Sequence, residues 1–259
     1  MATYCISDIH GCFTPFMNML DLINFQENDE MYILGDIIDR GPQSAEMLWF
    51  ATKEAGDNFH FLLGNHEDMM NAACEDKLTV RIGGSWSYNY GYETIQQVKS
   101  FEQYTPSWEK EILEWSRNLP YFYDITVNDR RFILVHAGLQ SQAYVDPDDW
   151  TMDGVERPLI AIEDCPLQNR QALIWDRISW ILSKYEWPFD IVCGHTPTIS
   201  SIWENRKYFS IPVVQEKRNG IIHFGEGLRK HCIDCGINRG GYLACLRLDD
   251  MSEFYVEGA

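Results

Sequence analysis

Short apolar runs with strand-like composition recur along the chain, and each is followed at once by glycine or polar residues. They read TYCIS, MYIL, FHFLL, RFILV and DIVC, and they end at positions 7, 34, 63, 135 and 193. Runs of four or five residues rich in β-branched and aromatic side chains, with such breaks after them, predict buried strands. The polar clusters should therefore lie at the carboxyl ends of strands.

Between the first three runs the apolar spacing changes to that of helices. Positions 16, 19, 20 and 23 are apolar at i, i+3, i+4 and i+7, and Thr14 and Pro15 predict the N-cap and the first helical residue. A second helix is predicted to begin at Pro42, and a third to run through Glu67. This βαβαβα alternation is typical of a largely parallel sheet with helices on its faces.

The remainder of the chain divides into a helical part and a strand-rich part. Residues 75–120 predict a helical insertion with loops near the functional site, and residues 146–180 a Pro- and Asp-rich loop with a short helix. The other predicted strands are 121–127, 131–135, 190–193, 199–203, 210–214, 221–224, 230–234 and 242–248. We therefore predict one α/β domain over residues 1–259, in which two packed sheets are flanked by helices.

Charge and cysteine content narrow the classes of function. The net charge of −18 argues against nucleic acid or an anionic membrane surface as the main partner, because both attract Lys and Arg. The start of the chain lacks the basic and apolar stretches of a secretory signal, so the eight Cys predict free thiols in a cytoplasmic protein. Cys232 and Cys235 have no second CxxC to pair with, which favours structural thiols over a zinc site.

The polar clusters supply the kinds of ligand that two divalent cations need. Six candidate ligands stand at predicted strand ends: Asp8, His10, Asp36, Asn65, His136 and His195. Oxygen and imidazole ligands suit a two-metal site for in-line attack on phosphorus. An isolated DxH motif is weak evidence, whereas GDIIDRG at 35–41 and GNHE at 64–67 are far more specific. The neutral Asn65 limits the negative charge, leaving about two positive charges to attract a phosphate dianion.

Together these motifs resemble the phosphoprotein phosphatase family of calcineurin-like metallophosphoesterases. The resemblance extends from residue 3 to about 248. LIWDRIS at 173–179, GHTP at 194–197 and IDCG at 233–236 resemble its bacterial and phage branch, of the bacteriophage lambda phosphatase type. The resemblance implies a two-sheet β-sandwich flanked by helices in four αββα layers. It also implies hydrolysis by direct attack of a hydroxide shared between two metal ions.

The resemblance assigns roles to individual residues. The first ion would be held by Asp8, His10 and Asp36, and the second by Asp36, Asn65, His136 and His195. Arg40 and Arg177 would bind the phosphate oxygens, and His66, oriented by Asp39, would be the general acid. The mixed carboxylate, amide and imidazole set favours Mn²⁺, with Fe and Zn as alternatives.

Three functions remain open at this point. The leading one is hydrolysis of phosphoserine and phosphothreonine in a phosphoprotein or phosphopeptide, and the alternatives are a dinucleoside tetraphosphatase and a non-catalytic binding module. The resemblance favours the first, because the tetraphosphatase branch tends to lack an Asp at the position of Asp39. Substrate choice is predicted to depend on the aromatic stretch 86–92 or on basic residues of 206–230, namely Arg206, Lys207, Lys217, Arg218, Arg229 and Lys230.

Overall fold

A computed structural model describes residues 1–80, 82–140, 160–163, 165, 168–204 and 211–258. Much of the predicted Pro- and Asp-rich loop, together with Arg206 and Lys207, lies outside the described residues. Among the residues described, no helix combines the length and the apolar character needed to cross a membrane.

Strands and helices alternate at the beginning of the chain, as predicted. The strands are β1 (Thr3–Ile6), β2 (Glu30–Ile33), β3 (Phe59–Phe61), β4 (Phe122–Val127), β5 (Arg130–Val135), β6 (Asp190–Cys193), β7 (Val213–Val214), β8 (Ile222–Phe224), β9 (Lys230–Cys232), β10 (Tyr242–Arg247) and β11 (Ser252–Glu257). The α-helices are α1 (Phe13–Leu22), α2 (Ser44–Trp49), α3 (Asn65–Ala73), α4 (Gly91–Ser100), α5 (Pro106–Arg117), α6 (Arg170–Trp175), α7 (Ile178–Leu182) and α8 (Ser201–Glu204). A π-helical turn, Phe50–Glu54, extends α2, and 3₁₀ turns occur at Ser85–Asn89, Glu226–Leu228 and Ile237–Arg239.

The strands form two mixed sheets. The first has the order β11-β10-β1-β2-β3, in which β1, β2 and β3 are parallel and β10 is antiparallel to both of its neighbours, β1 and β11. The second has the order β4-β5-β6-β9-β8-β7, with β5, β6 and β9 parallel at its centre. In each sheet the parallel strands end at the same edge, so the polar clusters that follow them are brought together.

Three apolar clusters define the layers. One is formed by side chains of both sheets, among them Leu34, Phe132 and Leu246, and fills the space between them. A second packs α1–α5 against the outer face of the first sheet, and a third packs α6 and α7 against the second sheet. The predicted fold class, a two-sheet sandwich flanked by helices, is confirmed.

Several predicted boundaries are wrong, each for a tertiary reason. The first helix begins at Phe13 without a side-chain cap, because the Thr14 N–H donates instead to Gln43 Oε1 at 3.0 Å. The second begins at Ser44, not at Pro42, because the preceding turn is held at the site by the Gly41 N–H, which donates to His10 O at 2.9 Å.

The predicted strand at 199–203 is also wrong, because part of it forms the short helix α8. There the Trp203 N–H donates to Ser200 O, and the Trp203 ring packs on Phe224 at 5.1 Å between centroids. Strand β11 was not predicted. Its side chains are only partly buried at a sheet edge, so its apolar alternation is weak.

The segment between α3 and β4 folds back against the first sheet. Trp86, in the 3₁₀ turn, is fully buried, whereas Tyr88, Tyr90 and Tyr92 are exposed. α4 contacts α2, and α5 contacts α3, so the segment packs beside the strand ends. Its definition as an insertion within one domain of residues 1–259 stays a prediction.

The structure tests the predictions made for the CxxC cysteines and for Lys230. Cys232 and Cys235 are buried free thiols, as predicted. Lys230 is not a surface charge, because it is buried in β9, where its ammonium donates to Ser183 O at 2.8 Å and lies 4.4 Å from the Trp180 ring centroid. Lys230 is therefore excluded from the basic residues that could contact a substrate.

Candidate active site

The six predicted metal ligands converge at the common edge of the two sheets. Five of them lie just after the ends of β1, β2, β5 and β6, and Asn65 opens α3 after β3. None is more than 4 % exposed, and all six belong to the described residues: Asp8, His10, Asp36, Asn65, His136 and His195. The structure therefore brings together side chains that are up to 187 residues apart in the chain.

The backbone at this edge adopts conformations that non-glycine residues rarely take. Asp8, His10, Asp36 and His195 have φ values of 51°, 46°, 55° and 66°. Left-handed φ at such residues costs of order 1–3 kcal/mol each, and tends to occur at functional sites. Gly64 permits the close approach of two strand ends, because a Cβ there would lie 2.3 Å from Asp36 N.

One group of ligand atoms lies around one carboxylate oxygen of Asp36, Oδ2. Oδ2 of Asp36 lies 3.7 Å from Nε2 of His10 and 3.9 Å from Nε2 of His66. Asp8 lies at the same side, with its Oδ1 3.8 Å from His10 Nε2. The ligand atoms of His10, Asp36 and His66 all lie within 4.8 Å of one another.

A second group surrounds the other carboxylate oxygen. Oδ1 of Asp36 lies 3.5 Å from Nε2 of His136, and the ligand atoms of Asp36, His136 and His195 are again within 4.8 Å of one another. Oδ1 of Asn65 lies 3.1 Å from His136 Nε2 and 2.8 Å from His195 Nδ1. Asp36 is thus common to both groups and faces each with a different oxygen.

Hydrogen bonds to the backbone fix which imidazole nitrogen carries the proton. His10 Nδ1 donates to Ile38 O at 3.0 Å, and His136 Nδ1 donates to Leu34 O at 2.7 Å. His195 donates through its other nitrogen, Nε2, to Trp175 O at 3.1 Å. Burial lowers the pKa of all three rings. They are therefore neutral, and the remaining nitrogen of each offers a lone pair to the site.

Two of these lone pairs, on His136 and His195, face another acceptor, which indicates that a cation belongs between them. The unprotonated nitrogens of His136 and His195 both point at the carbonyl oxygen of Asn65, and none of these three atoms has a proton to share. Burial, together with the charges of Asp8 and Glu67, raises the pKa of Asp36 well above its usual range. A divalent cation in each group would relieve both conflicts, so the residues fit a pair of metal ions.

His66 and Asp39 form a buried pair beside this centre. His66 Nδ1 lies 2.6 Å from Asp39 Oδ2, and His66 Nε2 is buried without a hydrogen-bond partner among the described residues. Burial raises the pKa of Asp39 to about 7, and hydrogen bonds from Thr94 and Trp86 oppose this rise. The Trp86 indole N–H donates to Asp39 Oδ2 at 2.9 Å, and the Thr94 hydroxyl donates to Oδ1.

The two predicted phosphate-binding arginines lie at the rim of the site. A guanidinium nitrogen of Arg40 contacts Nε2 of His10, and both arginines are partly exposed. Arg177 donates through Nη1 to His195 O and, at 3.3 Å, to the Thr196 hydroxyl. Both guanidinium groups can therefore reach an anion held at the centre of the site.

Two buried acidic residues were not predicted as part of the site. Glu67 accepts backbone N–H groups of Asp36 at 2.9 Å, Ile37 at 2.9 Å and Gly64 at 3.1 Å, which ties the ends of β2 and β3 together. Asp234 is 4 % exposed, and burial and the charge of Asp8 raise its pKa well above its usual range. Glu67 belongs to the GNHE motif and Asp234 to the IDCG motif. The sequence therefore contained a signal for both residues, although neither was given a role in the site.

Comparison with known proteins identifies the family. A model of the calcineurin-like phosphoesterase family matches residues 1–226. The symmetrical bis(5'-nucleosyl)-tetraphosphatase of Nitrosomonas europaea is 34% identical over 140 residues, covering 54% of this chain and 45% of that protein. The same-named protein of Marinomonas sp. is 29% identical over 167 residues, covering 63% and 51%. The chain thus spans about half the length of these two curated relatives.

A longer alignment and two solved structures extend the comparison. The symmetrical bis(5'-nucleosyl)-tetraphosphatase of Vibrio campbellii is 25% identical over 287 residues, covering 98% of each chain. A protein serine/threonine phosphatase from Saccharomyces cerevisiae has a TM-score of 0.57 at 15% identity, covering 100% of this chain and 80% of that one. A putative diadenosine tetraphosphatase has a TM-score of 0.56 at 17% identity, covering 100% and 94%.

The similarity to the two solved structures supports the fold alone. Membership of a branch of the lambda phosphatase type stays a prediction. The family match does not depend on them, because it extends over residues 1–226 of 259 and includes all ten predicted site residues. The chain belongs to the calcineurin-like phosphoesterase family.

Proposed function

We propose that this chain is a metal-dependent hydrolase of dinucleoside tetraphosphates. The observation that carries the hydrolase assignment is the sharing of Asp36 between two groups of ligand atoms, one on each carboxylate oxygen. The choice of substrate is supported by the relatives named above, which are symmetrical bis(5'-nucleosyl)-tetraphosphatases. We therefore prefer the dinucleoside tetraphosphatase, which the sequence offered as an alternative, to the protein phosphatase, which was the leading prediction.

The family uses a dimetal site, and six residues are proposed to hold the two ions here. Asp8, His10 and Asp36 would bind one, and Asp36, Asn65, His136 and His195 the other. When bound, such ions polarise the phosphoryl oxygens and lower the pKa of water, which supplies the nucleophile. Mn²⁺ is the proposed ion, because the set mixes carboxylate, amide and imidazole ligands without a thiolate.

The protein's own side chains bind the substrate phosphates and shield the centre from bulk water. Arg40 and Arg177 present planar guanidinium groups at the rim, which suit the oxygens of a phosphoryl group. The ligands behind them are nearly inaccessible to solvent. A low local dielectric strengthens every charge interaction with the bound phosphate.

His66 is proposed to control the proton of the departing group. Asp39 accepts a hydrogen bond from Nδ1, so Nε2 is the atom directed at the substrate. Burial lowers the pKa of His66 in the free site, so the ring gains its second proton when a phosphate places negative charge beside Nε2. The ring can then protonate the leaving oxygen, a step worth about 10² to 10⁴ in rate for a poor leaving group.

The same pair supports a second candidate, the hydrolysis of phosphoserine or phosphothreonine in proteins. An alkoxide is a strong base and needs a proton on departure, whereas a nucleoside diphosphate departs readily without one. The hydrogen bond between Asp39 and His66 therefore favours a phosphomonoester substrate more than a tetraphosphate. This is the one specific observation in favour of the protein phosphatase.

Parallel assays decide between the two candidates. Wild-type protein with Mn²⁺ should hydrolyse diadenosine tetraphosphate with a kcat/KM at least about tenfold above that for a phosphoserine peptide, the ratio that about 1.4 kcal/mol of additional binding supplies. Asp36→Asn should abolish both activities. Preference for the phosphopeptide would overturn the proposed substrate. Absence of any hydrolysis, including that of p-nitrophenyl phosphate, would leave only the non-catalytic binding module.

A further inference from the structure

A cavity of about 430 Å³ lies beside Arg40, which forms part of its lining. Its walls are the start of α1, the turn 40–43, the turn 237–242 and the end of β11 at 257–258. Cavities of roughly 300–1,000 Å³ are the usual size of small-molecule sites. Because Arg40 also contacts His10, the cavity is one side chain away from the proposed metal centre.

The lining of this cavity suits an uncharged ligand with hydrogen-bonding edges. Arg40 and Glu257 are its only charged residues among those described, and the rest, apart from Tyr242, have small, apolar or amide side chains. The carboxamide of Asn238 makes no hydrogen bond within the described part of the chain. Gln43 uses only its oxygen, which accepts the Thr14 N–H at 3.0 Å, so its NH₂ group is available. Two such carboxamides match the edge of a purine, which Asn and Gln bind in pairs of hydrogen bonds.

Glycines hold the turn at 237–239 in the conformation that forms one wall. Gly236 and Gly240, on either side of it, have φ values of 70° and 78°. At Gly241 a Cβ would lie 1.9 Å from Cys235 O, so no side chain can replace the hydrogen there without moving the turn. The cavity is therefore preformed by the fold, which reduces the ordering cost of binding.

We propose that this cavity binds a purine nucleoside of the substrate, with Arg40 holding the phosphate between the nucleoside and the metal centre. This inference rests on the proposed function, and it names the part of the molecule that selects a dinucleotide over a phosphopeptide. Asn238 and Gln43 contact the base, and neither belongs to the catalytic machinery.

Inhibition of p-nitrophenyl phosphate hydrolysis by two diphosphates tests the proposal. ADP carries the nucleoside, and methyl diphosphate carries the same phosphates without it. ADP should inhibit the wild type at least about tenfold more tightly, as expected for a nucleoside that is largely buried in a preformed site. Equal inhibition constants for the two compounds would overturn the proposal, and this comparison needs no variant.

Substitution of Asn238 tests whether the tighter inhibition by ADP arises in this cavity. Asn238→Leu retains the branched shape but removes the carboxamide, and should weaken ADP inhibition about three- to tenfold, the effect of one or two net hydrogen bonds. Inhibition by methyl diphosphate should not change. Asn118→Leu, a matched change at an exposed position at the end of α5, should leave both constants unchanged. An equal loss for both diphosphates in Asn238→Leu would also overturn the proposal.

The outcome separates the cavity from the proposed function. If the wild type hydrolyses diadenosine tetraphosphate but does not distinguish ADP from methyl diphosphate, the cavity is not the nucleoside site and the function stands. If it distinguishes the two diphosphates but does not hydrolyse the tetraphosphate, the cavity binds nucleosides and the proposed substrate is wrong.

Discussion

Nδ1 of His66 lies 2.6 Å from Oδ2 of Asp39, and both side chains are fully buried. This contact leaves Nε2 of the same ring as the atom that faces the metal-ligand cluster, 3.9 Å from Asp36 Oδ2. A ring fixed in this way can transfer a proton at only one position. The pair therefore connects the geometry of the site to the chemistry of the leaving group.

Replacing His66 should affect substrates according to the basicity of their leaving groups. In His66→Asn, kcat for a phosphoserine peptide should fall by about 10² to 10⁴, because the alkoxide then departs without a proton. Hydrolysis of p-nitrophenyl phosphate should fall much less, since its leaving group is already acidic. Steady-state kinetics on both substrates measure the difference, and equal losses would rule out the general-acid role.

Removing the indole N–H that Trp86 donates to Asp39 should change the pH dependence. Trp86→Phe deletes one of the hydrogen bonds that oppose the raised pKa of Asp39, which is about 7. That pKa should rise further, by about one unit for the loss of a hydrogen bond to a charged group. Less Asp39 is then ionised at a given pH, so the acidic limb of the kcat/KM profile should move to higher pH.

A second indole provides the control for this experiment. Trp49 donates its N–H at 3.0 Å to Glu54, outside the metal-ligand cluster. Trp49→Phe should therefore leave the pH profile in place. If Trp86→Phe lowers activity equally at every pH, Trp86 contributes to packing alone.

The neutral amide of Asn65 should be essential for the attraction of phosphate. Asn65→Asp adds a negative charge between His136 and His195, and should weaken inhibition by inorganic phosphate at least about tenfold. Asn24→Asp, the same change at an exposed position beyond α1, should have no effect. Unchanged phosphate inhibition in Asn65→Asp would contradict the charge argument.

A buried histidine outside the site should make stability depend on pH. Burial lowers the pKa of His231 from 6.5 to about 4, although its Nε2 donates to Asp190 Oδ1 at 2.9 Å. The unfolded chain thus binds a proton below pH 6.5 that the folded chain does not bind until about pH 4. The free energy of unfolding should accordingly fall as the pH drops, by about 2 kcal/mol at pH 5.

Comparison of two variants isolates this contribution. Thermal unfolding of His231→Gln should depend less on pH between 7 and 4.5 than that of the wild type. His60→Gln, at a partly exposed histidine, should follow the wild type. Identical slopes for His231→Gln and the wild type would show that His231 is not the source.

The sequence predicts the positions of the candidate ligands better than it predicts the contacts around them. Asp8, Asp36 and Asn65 follow runs whose composition already indicates buried parallel strands, and such strands end at one edge. Their convergence therefore follows from local patterns and a general rule of topology. The same reasoning places His136 and His195 after β5 and β6 of the second sheet.

Long-range contacts explain what the sequence could not predict. Trp86 and Thr94 donate hydrogen bonds to Asp39 from 47 and 55 residues away in the sequence. Local residue spacing cannot predict contacts over such separations. Trp86 was predicted to affect substrate choice, whereas its side chain is buried against Asp39. Substrate choice itself depends on loops and cavities, because the metal ligands serve every phosphoester alike.

Anomalous diffraction from crystals grown with Mn²⁺ tests the two-metal site most directly. Two manganese peaks are expected, one on each side of the Asp36 carboxylate, with His10 next to the first and His136 and His195 next to the second. A single peak, or none among these side chains, would contradict the two-metal site.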